Sequence, residues 1–347
     1  MKLLTMQMLQ KIQTEWCDIF RSLSKTIANN LLIATLATMK AASSNTAEIA
    51  RQMASFTDRE FNTNDVRLRR LIDNERFQID HGTWRCYFRL LMNILQEKGL
   101  ITPGQLIPIN VDFTTVEDRF LILSASIPLN GRAIPLYFSM RNYPKKDGQY
   151  DHKRMENAFL RELRKLLSKK YRYVIVTDRG FGNVRWMQAC QKAGFDYLTR
   201  IQGNWKVLTE GGKHFYPSEL QRRNYNYQEV TLAKSDFRTR LVISHNGESE
   251  GWFLLTSIEE ADFKEVVNLY TDRFKIEKMF QDLKSSGFCI ENSKILKYSH
   301  FKRILFISVI SQALMLFVGD WLNDNGDEIK KKYPIHTGLI SALSSWL

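Results

Sequence analysis

The first hundred residues read as all-helical. Asn45-Thr46-Ala47-Glu48 has the form of a capping box, in which an Asn oxygen receives backbone N–H groups and a Glu reaches back. The helix it opens carries Ile49 and Met53. After a polar break at residues 55–62, a second helix is predicted from about Asn64. It places Val66, Leu68, Leu71 and Ile72 among Arg67, Arg69 and Arg70. The texture changes after Pro103-Gly104. Three runs, 107–113, 119–127 and 133–140, are rich in β-branched and aromatic residues. Asn130-Gly131 supplies the positive φ angles of a tight hairpin between the last two. A helix over 152–168 buries Met155, Phe159, Leu163 and Leu166 along one stripe. A strand at 171–177, a helix at 183–193 and a strand at 195–201 follow, giving the order β-β-β-α-β-α-β. Residues 203–257 break this alternation and read as a β-rich insertion. A long helix over 263–285, an apolar helix over 302–322, the basic run Lys330 to Lys332, Pro334 and a final helix complete the chain.

Composition narrows the partners. The 347 residues suffice for two or three domains, and 44% are hydrophobic, enough for a sizeable core. The net charge of +13, from 50 Lys and Arg against 37 Asp and Glu, favours a polyanion such as nucleic acid. The basic helix from Asn64, with the helix before it, matches either a helix-turn-helix reader of the major groove or an ordinary bundle with a solvated basic face. Cys17, Cys86, Cys190 and Cys289 are too scattered for a zinc site or a dense disulfide framework, and read as reduced thiols of a cytosolic protein. The six histidines form no paired metal motif, and no phosphate-binding GxxxxGK[ST] loop is present. The first residues lack the pattern of a signal peptide. The apolar run 304–319 contains Ser308, Ser311 and Gln312 and is short for a bilayer span, so it is expected to be a buried helix.

Three carboxylates carry the candidate chemistry. Asp112 lies inside the apolar strand Ile109-Asn110-Val111-Asp112-Phe113, where burial is costly unless a cation or donors satisfy it. It could equally face solvent at the strand end. Asp178 follows Val174-Ile175-Val176-Thr177, and ligand sites favour the carboxyl ends of such strands. A plain turn or cap Asp fits that position too. Glu277 lies on the long helix with Tyr270, Arg273 and Lys284. At about 100° per residue these four fall within an arc of about 60°. A phenol, two cations and a carboxylate on one face suit a phosphate clamp, although an Arg273–Glu277 ion pair alone is common. Three oxygen donors on separate elements suit Mg²⁺.

These residues resemble the DDE transposases of bacterial insertion sequences, specifically the insertion-sequence type 4 family. Tyr270, Arg273, Glu277 and Lys284 match its Y-x2-R-x3-E-x6-K signature in full. Asp112-Phe113-Thr114 and Val176-Thr177-Asp178-Arg179 resemble its two aspartate motifs, and Trp252-Phe253-Leu254-Leu255-Thr256-Ser257 its W-x-L-L-T-S stretch. The resemblance covers roughly residues 105–300. It implies an α/β, ribonuclease H-like (retroviral integrase superfamily) catalytic core with a β-rich insertion, preceded by an all-helical DNA-binding domain. The expected divisions are 1–100 for that helical domain, 101–202 and 258–300 for the core, 203–257 for the insertion and 301–347 for C-terminal helices.

The resemblance further implies cut-and-paste transposition. The chain would bind terminal inverted repeats of double-stranded DNA, cut them and join them to target DNA. Asp112, Asp178 and Glu277 would hold two Mg²⁺ ions, for which Mn²⁺ can substitute. Tyr270, Arg273, Lys284 and Arg200 would contact phosphates. Trp252 would stack on a flipped base, and since some relatives pass through a hairpin intermediate, that route and others stay open. A homodimer on DNA, no membrane partner, and a cytoplasmic, nucleoid-associated location in a bacterium complete the expectation. The alternatives are a metal-dependent nuclease of the same fold without strand transfer, and a non-catalytic DNA-binding derivative.

Overall fold

The computed structural model describes residues 2–129, 131–143, 152–220, 223–245 and 251–324. The expected final helix, the basic run before it and Asn130 lie outside these residues. Five helices come first: α1 (Lys2–Ile19), α2 (Lys25–Ala41), α3 (Thr46–Met53), α4 (Phe61–Asp73) and α5 (His81–Glu97). Asn45 caps α3, its side chain accepting the N–H groups of Ala47 and Glu48. Helix α4 begins earlier than expected. Asn64 is buried within it, bonding to Arg59 and Thr57 and so fixing the preceding loop.

Next come β1 (Leu106–Val116), β2 (Phe120–Leu129), β3 (Arg132–Asn142), α6 (His152–Leu166), β4 (Arg172–Thr177), α7 (Val184–Lys192) and β5 (Asp196–Arg200). This is the order read from the sequence. β2 and β3 form the expected hairpin, with Leu129 opposite Arg132 and Gly131 at φ +78°. The strands β6 (Val207–Thr209), β7 (His214–Phe215), β8 (Tyr225–Leu232), β9 (Phe237–Ser244) and β10 (Trp252–Thr256) follow. They continue the same sheet, because β10 pairs antiparallel with β5. The strand order is β3-β2-β1-β4-β5-β10-β9-β8-β6-β7.

The sheet separates two apolar layers. Ile107, Ile109, Tyr173, Ile175 and Tyr197 on one face meet α6, α7 and the N-terminal helices. On the other face, Val174, Val176, Leu198 and Leu254 lie under α8 (Phe263–Thr271). α9 (Lys275–Gln281) continues α8 and packs on Ala133 through Ile276, Met279 and Phe280. The last described helix, α10 (Tyr298–Asp324), satisfies the length and composition of a membrane span, but 83% of that window is buried inside the protein. Its polar groups face protein. Ser308 bonds to Ser44, Ser311 to the Thr35 carbonyl and Gln312 to the Met279 carbonyl. The buried Arg303 donates to the carbonyls of Ile72 and Phe77. The first hundred residues are helical as expected, yet they share one apolar cluster with the sheet and α10.

Candidate active site

Strand register brings the two aspartates together. β1 and β4 are parallel, and Asn110 lies opposite Val176 where their pairing ends. Two residues further along each strand come Asp112, still inside β1 and opposite Ser124 of β2, and Asp178, just past the carboxyl end of β4, where β1 and β4 have stopped pairing and leave a crevice. Alternation turns Asn110 and Asp112 to the same face, and Asn110 there donates its Nδ2–H to the Asp272 carbonyl at 2.8 Å. Asp178 also caps the turn that follows, accepting the Gly180 N–H at 2.9 Å. That turn folds tightly on the end of β5. A Cβ on Gly182 would stand 2.7 Å from the Arg200 carbonyl oxygen.

Glu277 arrives from above on α9, and its side chain is 54% exposed. The long helix expected over 263–285 is not uniform. α8 ends in a 3-10 turn, Asp272–Phe274, before α9, and α9 runs into a wider π turn, Asp282–Ser286. The bond from Asn110 to the Asp272 carbonyl falls at the first irregularity, where an inserted side chain is a recognised cause of a break. At the second, the Phe288 N–H closes on the Asp282 carbonyl at 2.8 Å. The four signature residues therefore do not share the ideal helical face computed from spacing. Arg273 and Glu277 stay adjacent, at 2.9 Å, while Lys284 is half-buried in the π turn.

Arg273 is the hub. Only 5% exposed, it reaches Glu277 with one terminal nitrogen and approaches Asp112 to 3.9 Å with the other. Its guanidinium lies 4.3 Å from the centre of the Phe274 ring and 5.7 Å from that of Tyr270. Burial opposes its charge, but Tyr270, Glu277 and Asp112 outweigh that and hold its pKa above the ordinary value. Asp112 is pushed up to about 6, first by burial and then by the Asp178 charge; the Phe113 N–H and Arg273 oppose this, and Glu277 adds to it. The three carboxylates thus feel one another across a short space, and a cation among them would relieve their repulsion. Among the described residues no three His, Cys, Asp or Glu close into a finished metal cage. Arg273 pairs more closely with Glu277, at 2.9 Å, than with Asp112, at 3.9 Å.

Other expected contact residues are placed differently from the simple expectation. Tyr270 is 1% exposed, and burial raises its pKa while Arg273 and Arg200 lower it. It backs the Arg273 guanidinium and presents no open face to a phosphate. Trp252 is 6% exposed, packed 4.9 Å from the Tyr270 ring and 6.0 Å from the Phe274 ring. A base cannot reach its face in this arrangement, because alternation along β10 turns the indole into the layer beneath α8. Arg200 ends β5 opposite Leu254, half-buried and close enough to act on Tyr270. Sequence reasoning missed Asn110 and Phe274. An amide two positions before Asp112 in an otherwise apolar strand was the available signal for the first; Phe274 offered none.

Residues 145–314 match the family model described as the transposase DDE domain. That span contains Asp178 and Glu277 and begins after Asp112. No curated protein matches the chain. The fold, mixed α/β with one large sheet, is consistent with the core of such an enzyme. The family match over 145–314 supports a DDE transposase.

Proposed function

We propose that this chain is a cut-and-paste DNA transposase of the insertion-sequence type 4 kind, acting on terminal inverted repeats through Asp112, Asp178 and Glu277. The observation that carries this reading is the register that aligns Asp112 with Asp178 beneath the Arg273–Glu277 pair. An all-oxygen set with one or two carboxylates per ion suits Mg²⁺, with Mn²⁺ as a substitute. Bound divalent ions would supply activation of a water or 3′-hydroxyl and stabilisation of the leaving oxygen. Asp112 within β1 and Asp178 at the end of β4 would hold them, and Glu277 would join once freed from Arg273. A substrate phosphate entering between Asp112 and Glu277 would compete for the Arg273 guanidinium, whose planar fork suits it. Tyr270 and Phe274 keep that fork aimed at the crevice. Lys284 and Arg200 would grip the backbone to either side. The exposed side of α4, with Arg70 beside Val66, suits contact with the repeat, and Arg67 ties α4 to Asn30 of α2 at 2.7 Å. Pairing two ends requires two catalytic sites, hence a homodimer on DNA.

The test is cleavage of an end duplex by purified protein with Mg²⁺. Asp178→Ala is expected to lower the rate by at least about a thousandfold, an effect above 4 kcal/mol. Full cleavage by that variant would overturn the reading. Joining of cut ends to a target plasmid distinguishes a transposase from a nuclease that only cuts.

A further inference from the structure

On the face of the sheet opposite the carboxylates, α6 and α7 enclose an open groove of about 630 Å³. Lys153, Arg161, Arg164 and Lys165 line it from α6, and Arg185 and Lys192 from α7; among the described residues no carboxylate lines it. Neighbouring acids offset part of this charge. Glu156 holds Arg185 at 2.9 Å, and Glu162 holds Lys165 at 2.8 Å with Arg161 at 3.8 Å. Arg164 lies over the Phe195 ring, 5.8 Å from its centre. Lys153 and Lys192 are exposed and have no ion pair among the described residues. Six cations facing one concavity repel one another, and a groove concentrates their field on whatever anion enters.

The groove has a direction. α6 starts beside the aspartates, where the His152 ring meets the Phe113 ring at 5.1 Å, and α7 starts just past the Asp178 turn. Lys153 and Arg185 therefore mark the end near the catalytic crevice, and Lys165 and Lys192 the far end. At 1.5 Å per residue, Lys153 to Lys165 spans about 18 Å. Duplex DNA presents about ten phosphates over that length, at one charge per ~1.7 Å.

We propose that the α6–α7 groove binds the backbone of a second DNA duplex, distinct from the one being cut. This rests on the DNA-transposase reading. The groove would hold a target segment by its phosphates, without reading its sequence.

The test uses full-length protein carrying Asp178→Ala, so that duplex is bound without being cut. A further triple variant, Lys153→Gln, Arg161→Gln and Lys192→Gln, is compared with a charge-matched control, Lys206→Gln, Lys213→Gln and Lys234→Gln, all at exposed positions. The readouts are duplexes bound per chain at low salt and the slope of log Kd against log salt. The groove variant is expected to bind one duplex where the background binds two, with a slope shallower by about three. The control is expected to keep both values. Unchanged stoichiometry and slope in the groove variant, or equal losses in the control, overturn the proposal while leaving the transposase reading intact. A groove-dependent slope seen with single-stranded RNA but not with duplex DNA also overturns it. A background protein that binds no duplex at all refutes the DNA reading itself.

Discussion

Asp112 and Trp252 carry the sharpest tests at the scale of single residues. The folded-state pKa of Asp112, about 6, lies above its ordinary value of 3.8. Its contribution to stability is then fully present below about pH 4 and is lost as pH rises through 6. Without metal, Asp112→Asn should escape that loss. Its stability relative to the unaltered protein should rise between pH 4 and 7 by on the order of 2–3 kcal/mol. Urea unfolding in EDTA across that range measures it, and parallel pH curves would refute the cause assigned to the shift. Added Mg²⁺ should stabilise the unaltered protein more than the variant, since ligand binding favours the folded state. For Trp252, core packing and base stacking predict different outcomes. Trp252→Ala should cost about 3–5 kcal/mol of stability as a large core truncation. A variant of native stability that loses only end cleavage would restore the stacking role.

The element that decides the site is the broken helix from α8 into α9. Asn110 is fully buried, donates to the Asp272 carbonyl and leaves its own Oδ1 without a partner among the described residues. Asn110→Leu removes the donor and that unsatisfied oxygen together, so the net effect on stability should be small. The break that sets Arg273 and Glu277 over Asp112 should move. Misplacement by about 1 Å can cost roughly a hundredfold in rate. Single-turnover cleavage should therefore fall by about that factor while Tm stays within a few degrees. A full cleavage rate would show that Asn110 does not position the helix. Periodicity located this helix and its Tyr-Arg-Glu-Lys residues. It could not locate the break, because the partner amide lies 162 residues away in sequence.

Across the whole molecule, the helical and sheet regions form one packed body. α10 supplies polar groups to α2 and α9, and Arg303 reaches the last turn of α4 and the segment that follows it. A fragment beginning at residue 101 would expose the α10 surface that meets α2, together with the Arg303 charge. It should therefore fail to fold on its own. Limited proteolysis and circular dichroism of that fragment check this, and a protease-resistant fragment with native strand content would show that the first hundred residues are a separable domain. The sequence marked this region as helical from local caps and spacing. Whether it stands apart depends on α10, which the chain reaches only after the whole sheet.

Local pattern determined the element order, the hairpin at Gly131, Asp112 within an apolar strand, Asp178 at the end of another and the helix bearing Glu277, because each depends on residues a few positions apart. Tertiary structure alone decided three things. The parallel register aligned Asp112 with Asp178. The pairing of β10 with β5 merged the insertion into the core sheet and turned Trp252 inward. The Asn110 bond accompanied a break in a helix whose spacing suggested continuity. Each of these is a contact between segments distant in sequence, and hydrophobic periodicity holds no information about which distant segment a strand or helix will meet.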